Sequence, residues 1–128
     1  MIQSILRWYY AWAPRPSEVD LLNKGLSLAL VWGKNWMRPI QSRMHARFPF
    51  LHPEELDRYE RDCRAAMAFG IDLVFEIAEA NKGVASKSVW RKQFVARFPW
   101  VSERNLRSLF SQGTYYAWKD GACNSPLG

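Results

Sequence analysis

The chain has 128 residues, of which 48% are apolar and 23% charged, as is typical of one folded domain that buries a core without disulfides or metal. This composition excludes bulk disorder, and the longest wholly apolar or small stretch, residues 25–33, is too short to cross a bilayer. The only cysteines, Cys63 and Cys123, lack CxxC spacing, which excludes a secreted disulfide scaffold and favours the cytoplasm.

The net charge of +6 is distributed unevenly along the chain. Residues 1–47 carry seven basic and two acidic side chains, residues 48–81 carry three and eight, and residues 82–128 carry eight and two. A uniformly basic chain would indicate general polyanion binding. This order instead indicates a basic C-terminal unit that follows an acidic segment.

The first predicted helix begins after Ser17, a favourable N-cap residue with Glu18 and Asp20 in the first turn. Its buried face is predicted from apolar residues at helical spacing: Val19, Leu22, Leu26 and Leu30, widened by Leu21, Leu28, Val31 and Trp32. A second helix is predicted from Pro39, with Ile40, Met44 and Phe48 on one face, until Pro49 ends it. Three tryptophans in these helical patterns are predicted to lie in the core: Trp32, Trp36 and Trp90.

The third predicted helix has His52 at its cap position and Pro53 in its first turn. An apolar seam at three- and four-residue steps follows: Leu56, Tyr59, Cys63, Ala66, Gly70, Val74 and Ile77. Gly70 in the middle of this seam indicates either a close crossing with another helix or a break in the segment. Asn81-Lys82-Gly83 is typical of a helix C-terminus.

A fourth helix is predicted to begin at Ser86 or Ser88 and to end before Pro99. Ser102 is predicted to cap a fifth helix that Gly113 ends or kinks, and residues 119–128 are predicted to form a flexible tail. No segment alternates in a way that predicts a strand. The sequence therefore predicts an all-α fold, a single compact bundle of about five helices in one domain, residues 1–118.

The tetrapeptide Ala-Arg-Phe-Pro occurs twice, at residues 46–49 and 96–99. Each copy is followed by an aromatic residue, an aliphatic residue and a cap, and then by a leucine on the next helix. Because proline lacks a backbone donor and restricts the residue before it, each copy predicts a corner between two helices, filled by the apolar pair. The predicted fold thus contains a repeated helix, Phe-Pro corner and helix.

The second copy, VARFPWVSERNLRSLF, resembles the helix-turn-helix class of DNA-binding domains. It departs from the usual pattern at Trp100, where glycine is common, and at Pro99, where an aliphatic residue is common. The resemblance implies a helix-turn-helix-like unit over residues 84–118. Its implied parts are Ala96 at the helix crossing, Val101 as the plug of the turn, Ser102 as the cap, and Leu106 and Leu109 on the buried face.

The helices that follow the two corners differ in charge. EELDRYERD after the first corner would be repelled by phosphates, whereas ERNLRSLFSQ after the second offers donor side chains for base edges, and the helix before it offers cations for phosphates. A solvated helix face explains the same charges equally well. The candidate nucleic-acid-binding residues are Ser88, Arg91, Lys92, Arg97, Ser102, Arg104, Asn105, Arg107, Ser108 and Ser111.

Two further hypotheses concern the aromatic and acidic segments. The alternative to DNA binding is a non-enzymatic protein–protein interaction module or homodimer, which would use the acidic helix 54–62 or the N-terminal aromatics Trp8, Tyr9, Tyr10 and Trp12. The same N-terminal segment is also compatible with attachment to a membrane surface.

Catalytic and metal-binding motifs are missing from the sequence. It contains no HExxH, no GxSxG, no glycine-rich phosphate loop and no Cys/His cluster with zinc spacing, and His45 and His52 lack a sequence-local partner. We therefore expect no enzymatic activity, no cofactor and no metal. The leading hypothesis is a small cytoplasmic protein, DNA-binding or regulatory, that uses its C-terminal corner.

Overall fold

The computed structural model describes residues 14–126. These residues form five helices: α1 (Glu18–Ala29), α2 (Gln41–Arg47), α3 (Pro53–Ala80), α4 (Lys87–Arg97) and α5 (Glu103–Lys119). No strand occurs within the described range. The prediction of an all-α bundle of about five helices is confirmed, and no described helix is long and apolar enough to span a membrane.

The chain divides into two compact units, Met1–Arg64 and Ala65–Gly128, called the first and the second unit below. Helix α3 contributes its N-terminal half to the first unit and its C-terminal half to the second. Each unit therefore has the same order of elements: a helix, a connection, a second helix, a Phe-Pro corner and a third helix. The single domain expected for residues 1–118 stays a prediction.

Three serine residues begin helices as the sequence predicts. Ser17 Oγ accepts a hydrogen bond from the backbone N–H of Asp20 at 3.1 Å, and Ser86 Oγ accepts one from Val89 at 3.4 Å. Ser86, and not Ser88, is therefore the cap of α4. Ser102 caps α5 by accepting a hydrogen bond from the N–H of Asn105 at 3.3 Å. These bonds satisfy donors that a helix N-terminus leaves without an intrahelical partner.

The two Phe-Pro corners have nearly the same backbone. Phe48 has φ −129° and ψ 73°, and Phe98 has φ −126° and ψ 68°. The N–H of each phenylalanine donates to the carbonyl four residues earlier, and the N–H three residues later donates back to the phenylalanine carbonyl. Leu51 and Val101, which fill the angle, are 3% and 7% exposed. The predicted repeat of the corner is confirmed.

The two corners cap the following helix differently. In the second, the Ser102 hydroxyl accepts a hydrogen bond, as described above. In the first, the Glu55 carboxylate accepts a 3.1 Å hydrogen bond from the N–H of His52, the residue that precedes α3. Both contacts are of the kinds that make up a capping box.

A glycine lies at a close helix approach in each unit. A Cβ built at Gly25 of α1 would lie 2.9 Å from Met44 Sδ and 3.2 Å from Cys63 Sγ. A Cβ built at Gly70 of α3 would lie 2.5 Å from Leu109 Cδ2. Of the two interpretations of Gly70, the close crossing is therefore confirmed, and α3 runs through it without a break. Only a residue without a side chain allows these helices to approach so closely.

Aromatic rings fill the core of the second unit around Trp90. Its ring stacks on Phe94 with centroids 4.9 Å apart and meets the ring of Phe110 at 5.2 Å. Trp90 is 1% exposed, and its Nε1 donates a 2.9 Å hydrogen bond to the carbonyl oxygen of Gly70. The prediction that Trp90 lies in the core is confirmed, and its one polar atom has a partner, as a buried indole requires.

The prediction was wrong for the two tryptophans between α1 and α2. Helix α1 ends at Ala29, so the apolar face does not continue through Val31 and Trp32, which are 46% and 53% exposed. Trp32 stacks on half-buried Trp36, with ring centroids 5.7 Å apart. Val19, in the first turn of α1, is 49% exposed as well. Likewise, α2 begins at Gln41, with Ile40 as its N-cap, two positions later than Pro39 predicts.

The C-terminal segment also differs from the prediction. Helix α5 continues through Gly113 to Lys119. A Cβ at Gly113 would lie 2.8 Å from Val74 Cγ2, so glycine at this position allows the close contact with α3. Residues 120–126 form hydrogen bonds with the rest of the second unit instead of a loose tail. Cys123 is 4% exposed, and Thr114 Oγ1 donates a 2.7 Å hydrogen bond to the carbonyl of Pro126.

Candidate nucleic-acid interface

Half of the exposed residues of α4 and α5 are cations. Helix α4 buries Trp90 and Phe94, and helix α5 buries Leu106 and Leu109. Seven of the exposed residues of these two helices are lysine or arginine. Arg97 and Lys119 lie over aromatic rings, and the other five are called the basic surface: Lys87, Arg91, Lys92, Arg104 and Arg107.

An open groove of about 460 Å³ runs along one side of α4. Ser88, Arg91 and Lys92 line it together with Val95 and Ala96, which follow at helical spacing. The structure therefore brings three of the sequence-predicted residues together on one stripe of one helix. The hydroxyl of Ser88 lies 3.2 Å from that of Ser86, at the start of α4.

A second, smaller cavity lies where α4 meets the first turns of α5. It has a volume of about 170 Å³ and is lined by Lys87, Trp90, Arg91, Glu103, Leu106 and Arg107. We call it the cation pocket, because three of its six residues are positively charged. Arg91 lines both this pocket and the open groove.

Glu103 lies among the cations of this pocket. Both guanidinium NH₂ groups of Arg91 donate to the Glu103 carboxylate, with Nη1 2.7 Å from Oε2. These hydrogen bonds, with the charges of Arg91, Arg107 and Lys87, lower the pKa of Glu103. The ion pair in turn raises the pKa of Arg91. Both side chains are exposed, so solvent screens the pair and its contribution to stability is small.

The sequence did not indicate this ion pair, because Arg91 and Glu103 lie on different helices with a corner between them. Along the sequence, Glu103 is an acid in the first turn of a helix, a common position for an acid. Only the way the corner folds brings Glu103 to Arg91. Spacing along a single helix, the pattern from which sequence arguments start, carries no signal for such a contact.

Arg97 lies apart from the basic surface. Its guanidinium stands over the ring of Phe69 at 4.6 Å and near the ring of Phe98 at 5.9 Å. A cation over an aromatic face gains a favourable electrostatic contact, which helps to hold Arg97 in this position. Its role in the fold is therefore separate from that of Arg91 and Lys92, which line the groove.

The polar residues of α5 divide into exposed and buried sets. Ser111 is exposed, and Ser108 and the cap residue Ser102 are half-buried. Asn105 and Gln112 are each 3% exposed, so the prediction that both face outward was wrong. The reason is that α5 buries a wider arc than its apolar residues mark out, with Thr114 buried as well. Asn105 is therefore not placed to contact a base.

The residue at the helix crossing also differs from what the helix-turn-helix resemblance implies. Ala96 is exposed and lines the open groove. The close approach in this unit is instead at Gly70 of α3, against Phe94 and Leu109. Val101, Leu106 and Leu109 are buried, as the resemblance implies.

The first unit has other side chains at the positions of the basic surface. The spacing of fifty between the two corners pairs Arg91 with Gln41 and Arg107 with Asp57. Gln41 Nε2 donates a 3.3 Å hydrogen bond to Asp57 Oδ1, so a neutral amide and a carboxylate meet where the second unit has two arginines. The remaining matches are Lys87 with Met37, Lys92 with Ser42, and Arg104 with Glu54. None of the five cations is therefore required to form the corner.

Several carboxylates of the first unit are paired with arginine. Glu60 binds Arg64 at 3.2 Å, Glu55 binds Arg15, and Glu18 of α1 binds Arg58. The hydrogen bond from His52 and the pairing with Arg15 lower the pKa of Glu55, against a smaller opposing effect of burial. The acidic helix 54–62 is thus partly neutralised within its own unit.

Both cysteines are free and buried. Burial raises the pKa of the Cys63 thiol to about 12, and burial raises that of Cys123 as well. Neither thiol is therefore a nucleophile at neutral pH. Within residues 14–126, no group of three or more His, Cys, Asp or Glu side chains is placed to hold a metal ion.

The N-terminal aromatics that were expected to mediate self-association or membrane attachment, Trp8, Tyr9, Tyr10 and Trp12, lie outside the described residues. No protein-family model, curated protein or solved structure matches the chain.

Proposed function

We propose that this chain is a small DNA-binding protein and that the basic surface contacts the phosphates of double-stranded DNA. One observation carries the proposal: five exposed cations lie on two neighbouring helices with Glu103 as the only acid of α4 and α5. The charge that remains after the Arg91–Glu103 pair attracts a polyanion, and phosphate neutralisation supplies most of the affinity of such proteins.

The surface favours contacts to the backbone over contacts to bases. Asn105, the amide best suited to adenine, is buried. Arg104 and Ser111 remain exposed on α5, together with Arg107. These side chains position the helix on DNA and give only a modest preference among sequences. We therefore propose weak sequence specificity and strong dependence on salt.

The first unit supports this proposal as an internal comparison. It folds the same corner, yet it places Glu54 and Asp57 where the second unit has Arg104 and Arg107. Because the corner does not require cations at these positions, their presence in the second unit is better explained by a ligand than by the fold. The two free thiols, Cys63 and Cys123, support a cytoplasmic location, where thiols stay reduced.

A duplex-DNA titration at two salt concentrations tests the proposal. With three or four phosphate contacts, the affinity should fall about 40- to 150-fold between about 50 and about 200 mM salt. The double variant K92A/R104A should bind more weakly and lower the salt slope by about two. The control K24A/R61A removes the same charge from exposed positions of the first unit. No binding at the lower salt would refute the proposal, as would equal losses in the two variants.

One observation favours protein–protein interaction as a second candidate function. Trp32 is 53% exposed and stacks on Trp36, beside exposed Val31, and large aromatic rings at a surface are enriched in interfaces. Sedimentation of the wild type and of W32A at several concentrations tests self-association at this surface. The same monomer mass for both proteins at every concentration would remove it.

A further inference from the structure

The cation pocket has the chemistry of a phosphate site, and it already holds an anion of the protein. Lys87, Arg91 and Arg107 line it together with the apolar side chains of Trp90 and Leu106. Its volume of about 170 Å³ is enough for one tetrahedral phosphate group. Arginine pairs with phosphate oxygens in the same two-pronged geometry that it uses with carboxylates.

Glu103 makes with Arg91 the contacts that a phosphate would make. Its carboxylate accepts hydrogen bonds from both NH₂ groups of the guanidinium, so it occupies the Nη1–Nη2 edge of Arg91, one of the two edges that can hold a bidentate phosphate. Both a carboxylate and a phosphate carry negative charge, so they repel each other at this distance. One anion must therefore leave Arg91 before the other can bind it in this manner.

We propose that the cation pocket receives one phosphate group of the bound DNA and that Glu103 occupies Arg91 in the free protein, so that binding exchanges a carboxylate for a phosphate. This inference rests on the proposed function. It makes Glu103 a regulator of affinity: the carboxylate lowers the affinity for DNA, and it keeps Arg91 in a fixed position while no DNA is bound.

The first unit shows that this ion pair is not needed for the corner. At the positions of Arg91 and Glu103 it has Gln41 and Pro53, which cannot form an ion pair, and its corner nevertheless has the same backbone angles. An exposed ion pair contributes little to folding stability in any case. If the ion pair has no part in binding, replacing Glu103 should leave the DNA affinity unchanged and the stability nearly unchanged.

The variant Glu103→Gln tests the exchange, because glutamine keeps the size of the side chain and removes its charge. DNA affinity at about 50 mM salt should rise about three- to tenfold, since the competing anion is gone. The salt slope should steepen by up to one, because the wild-type carboxylate takes up a counterion when Arg91 leaves it. Glu76→Gln, an exposed acid of α3 in the same unit, makes the same change in net charge and should alter affinity less than about twofold.

The pH dependence gives a second measurement. In the free protein Arg91 lowers the pKa of Glu103, and Lys87 and Arg107 are the other charged groups that face the carboxylate. In the complex the carboxylate loses Arg91 and lies near phosphate, so it binds a proton more readily. Wild-type affinity should therefore rise more than that of E103Q as the pH falls from about 7 to about 4.5.

The possible outcomes separate the two proposals. If the wild type binds DNA but E103Q and E76Q have equal affinities and equal pH profiles, the exchange is refuted and DNA binding stands. If the wild type binds no DNA at low salt, the proposed function and the exchange both fail. Circular dichroism melting of each variant confirms that the compared proteins are folded.

Discussion

The indole nitrogen of Trp90 donates a 2.9 Å hydrogen bond to the backbone carbonyl oxygen of Gly70. This contact fixes α4 against the C-terminal half of α3. Because Arg91 and Lys92 follow Trp90 directly along the helix, the same contact fixes the direction in which they leave the core. The geometry of the basic surface thus depends on a helix crossing that only glycine permits.

We predict that Gly70→Ala destabilises the protein. The added Cβ would lie 2.5 Å from Leu109 Cδ2 and 3.1 Å from Phe94 Cε2, so the core must shift. Such overpacking costs about 1–3 kcal/mol, and the better helix propensity of alanine offsets about 1 kcal/mol of it. Urea unfolding should therefore show a net loss of up to about 2 kcal/mol in the free energy of unfolding.

The Leu109→Ala background supplies the control. Truncation of Leu109 alone should cost about 2–5 kcal/mol, since this side chain is completely buried. In that background Gly70→Ala no longer meets the leucine and keeps only the 3.1 Å approach to Phe94, so its cost should fall. The two substitutions together then destabilise the protein by less than the sum of their separate effects. A Gly70→Ala effect that is the same in both backgrounds would show that Leu109 does not set the closeness of the crossing.

The caps of the two corners should respond differently to substitution. Ser102→Ala removes the hydroxyl that accepts the N–H of Asn105 and should cost about 1 kcal/mol. His52→Ser gives the first corner the residue of the second, and with Glu55 it completes a capping box, so it should stabilise by up to about 1 kcal/mol. Thermal or urea unfolding measures both. A stabilising Ser102→Ala would contradict the capping contact.

Local chemistry made the corners predictable from the sequence. Proline ends a helix through its own ring, and a serine caps the helix that follows it directly, so Pro49, Pro99 and Ser102 needed no knowledge of the rest of the fold. The fold class followed from helical spacing for the same reason. Gly70 was recognised as unusual, but only the position of Leu109 shows that it marks a crossing.

The errors came from features that depend on tertiary packing. Trp32 continues the apolar spacing of α1, yet the helix ends at Ala29 and the chain turns away, with Gly33 at φ 100°. Asn105 lies beside apolar positions on α5 and is buried because the buried arc is wide. The Arg91–Glu103 pair spans a corner. The spacing of residues along one helix predicts neither where the chain turns away, nor how wide the buried face is, nor which side chains meet across a corner.

The first unit supplies a charge-reversal variant whose side chains already fit this corner. Arg104→Glu with Arg107→Asp introduces the residues that the first unit has at the same positions, Glu54 and Asp57. The fold should therefore be kept, while DNA affinity at about 50 mM salt should fall at least about 100-fold, because two attractive charges become repulsive. Fluorescence anisotropy with a labelled duplex measures the affinity, and circular dichroism measures the fold.

The control for this prediction is K24E/R61D, which makes the same change in net charge at exposed positions of the first unit. Long-range charge alone would weaken DNA binding equally in both variants. A loss confined to R104E/R107D locates the contact on α5. An unchanged affinity of R104E/R107D would remove these two arginines from the interface.

The thiol of Cys63 should stay unreactive in the native protein. It is 1% exposed, its Sγ lies 3.4 Å from the carbonyl oxygen of Leu22, and burial raises its pKa from 9.0 to about 12. A disulfide reagent at about pH 8 should therefore modify neither Cys63 nor buried Cys123 without denaturant, because the thiolate is the reacting form. Rapid modification of native C123A, which retains only Cys63, would contradict this packing.

The same shift predicts how stability changes in alkali. Above its ordinary pKa of 9.0 the thiol of Cys63 loses its proton in the unfolded chain, whereas the native thiol keeps it up to about pH 12. The unfolded state then binds fewer protons than the native state, so the free energy of unfolding falls as the pH rises through this window. Lysines and tyrosines titrate in the same range, and Cys63→Ala isolates the thiol because it leaves those groups unchanged. The difference in unfolding free energy between the wild type and C63A should therefore shrink from pH 9 to pH 11. A difference that stays constant with pH would show that the thiol ionises equally in both states and is accessible to water in the fold.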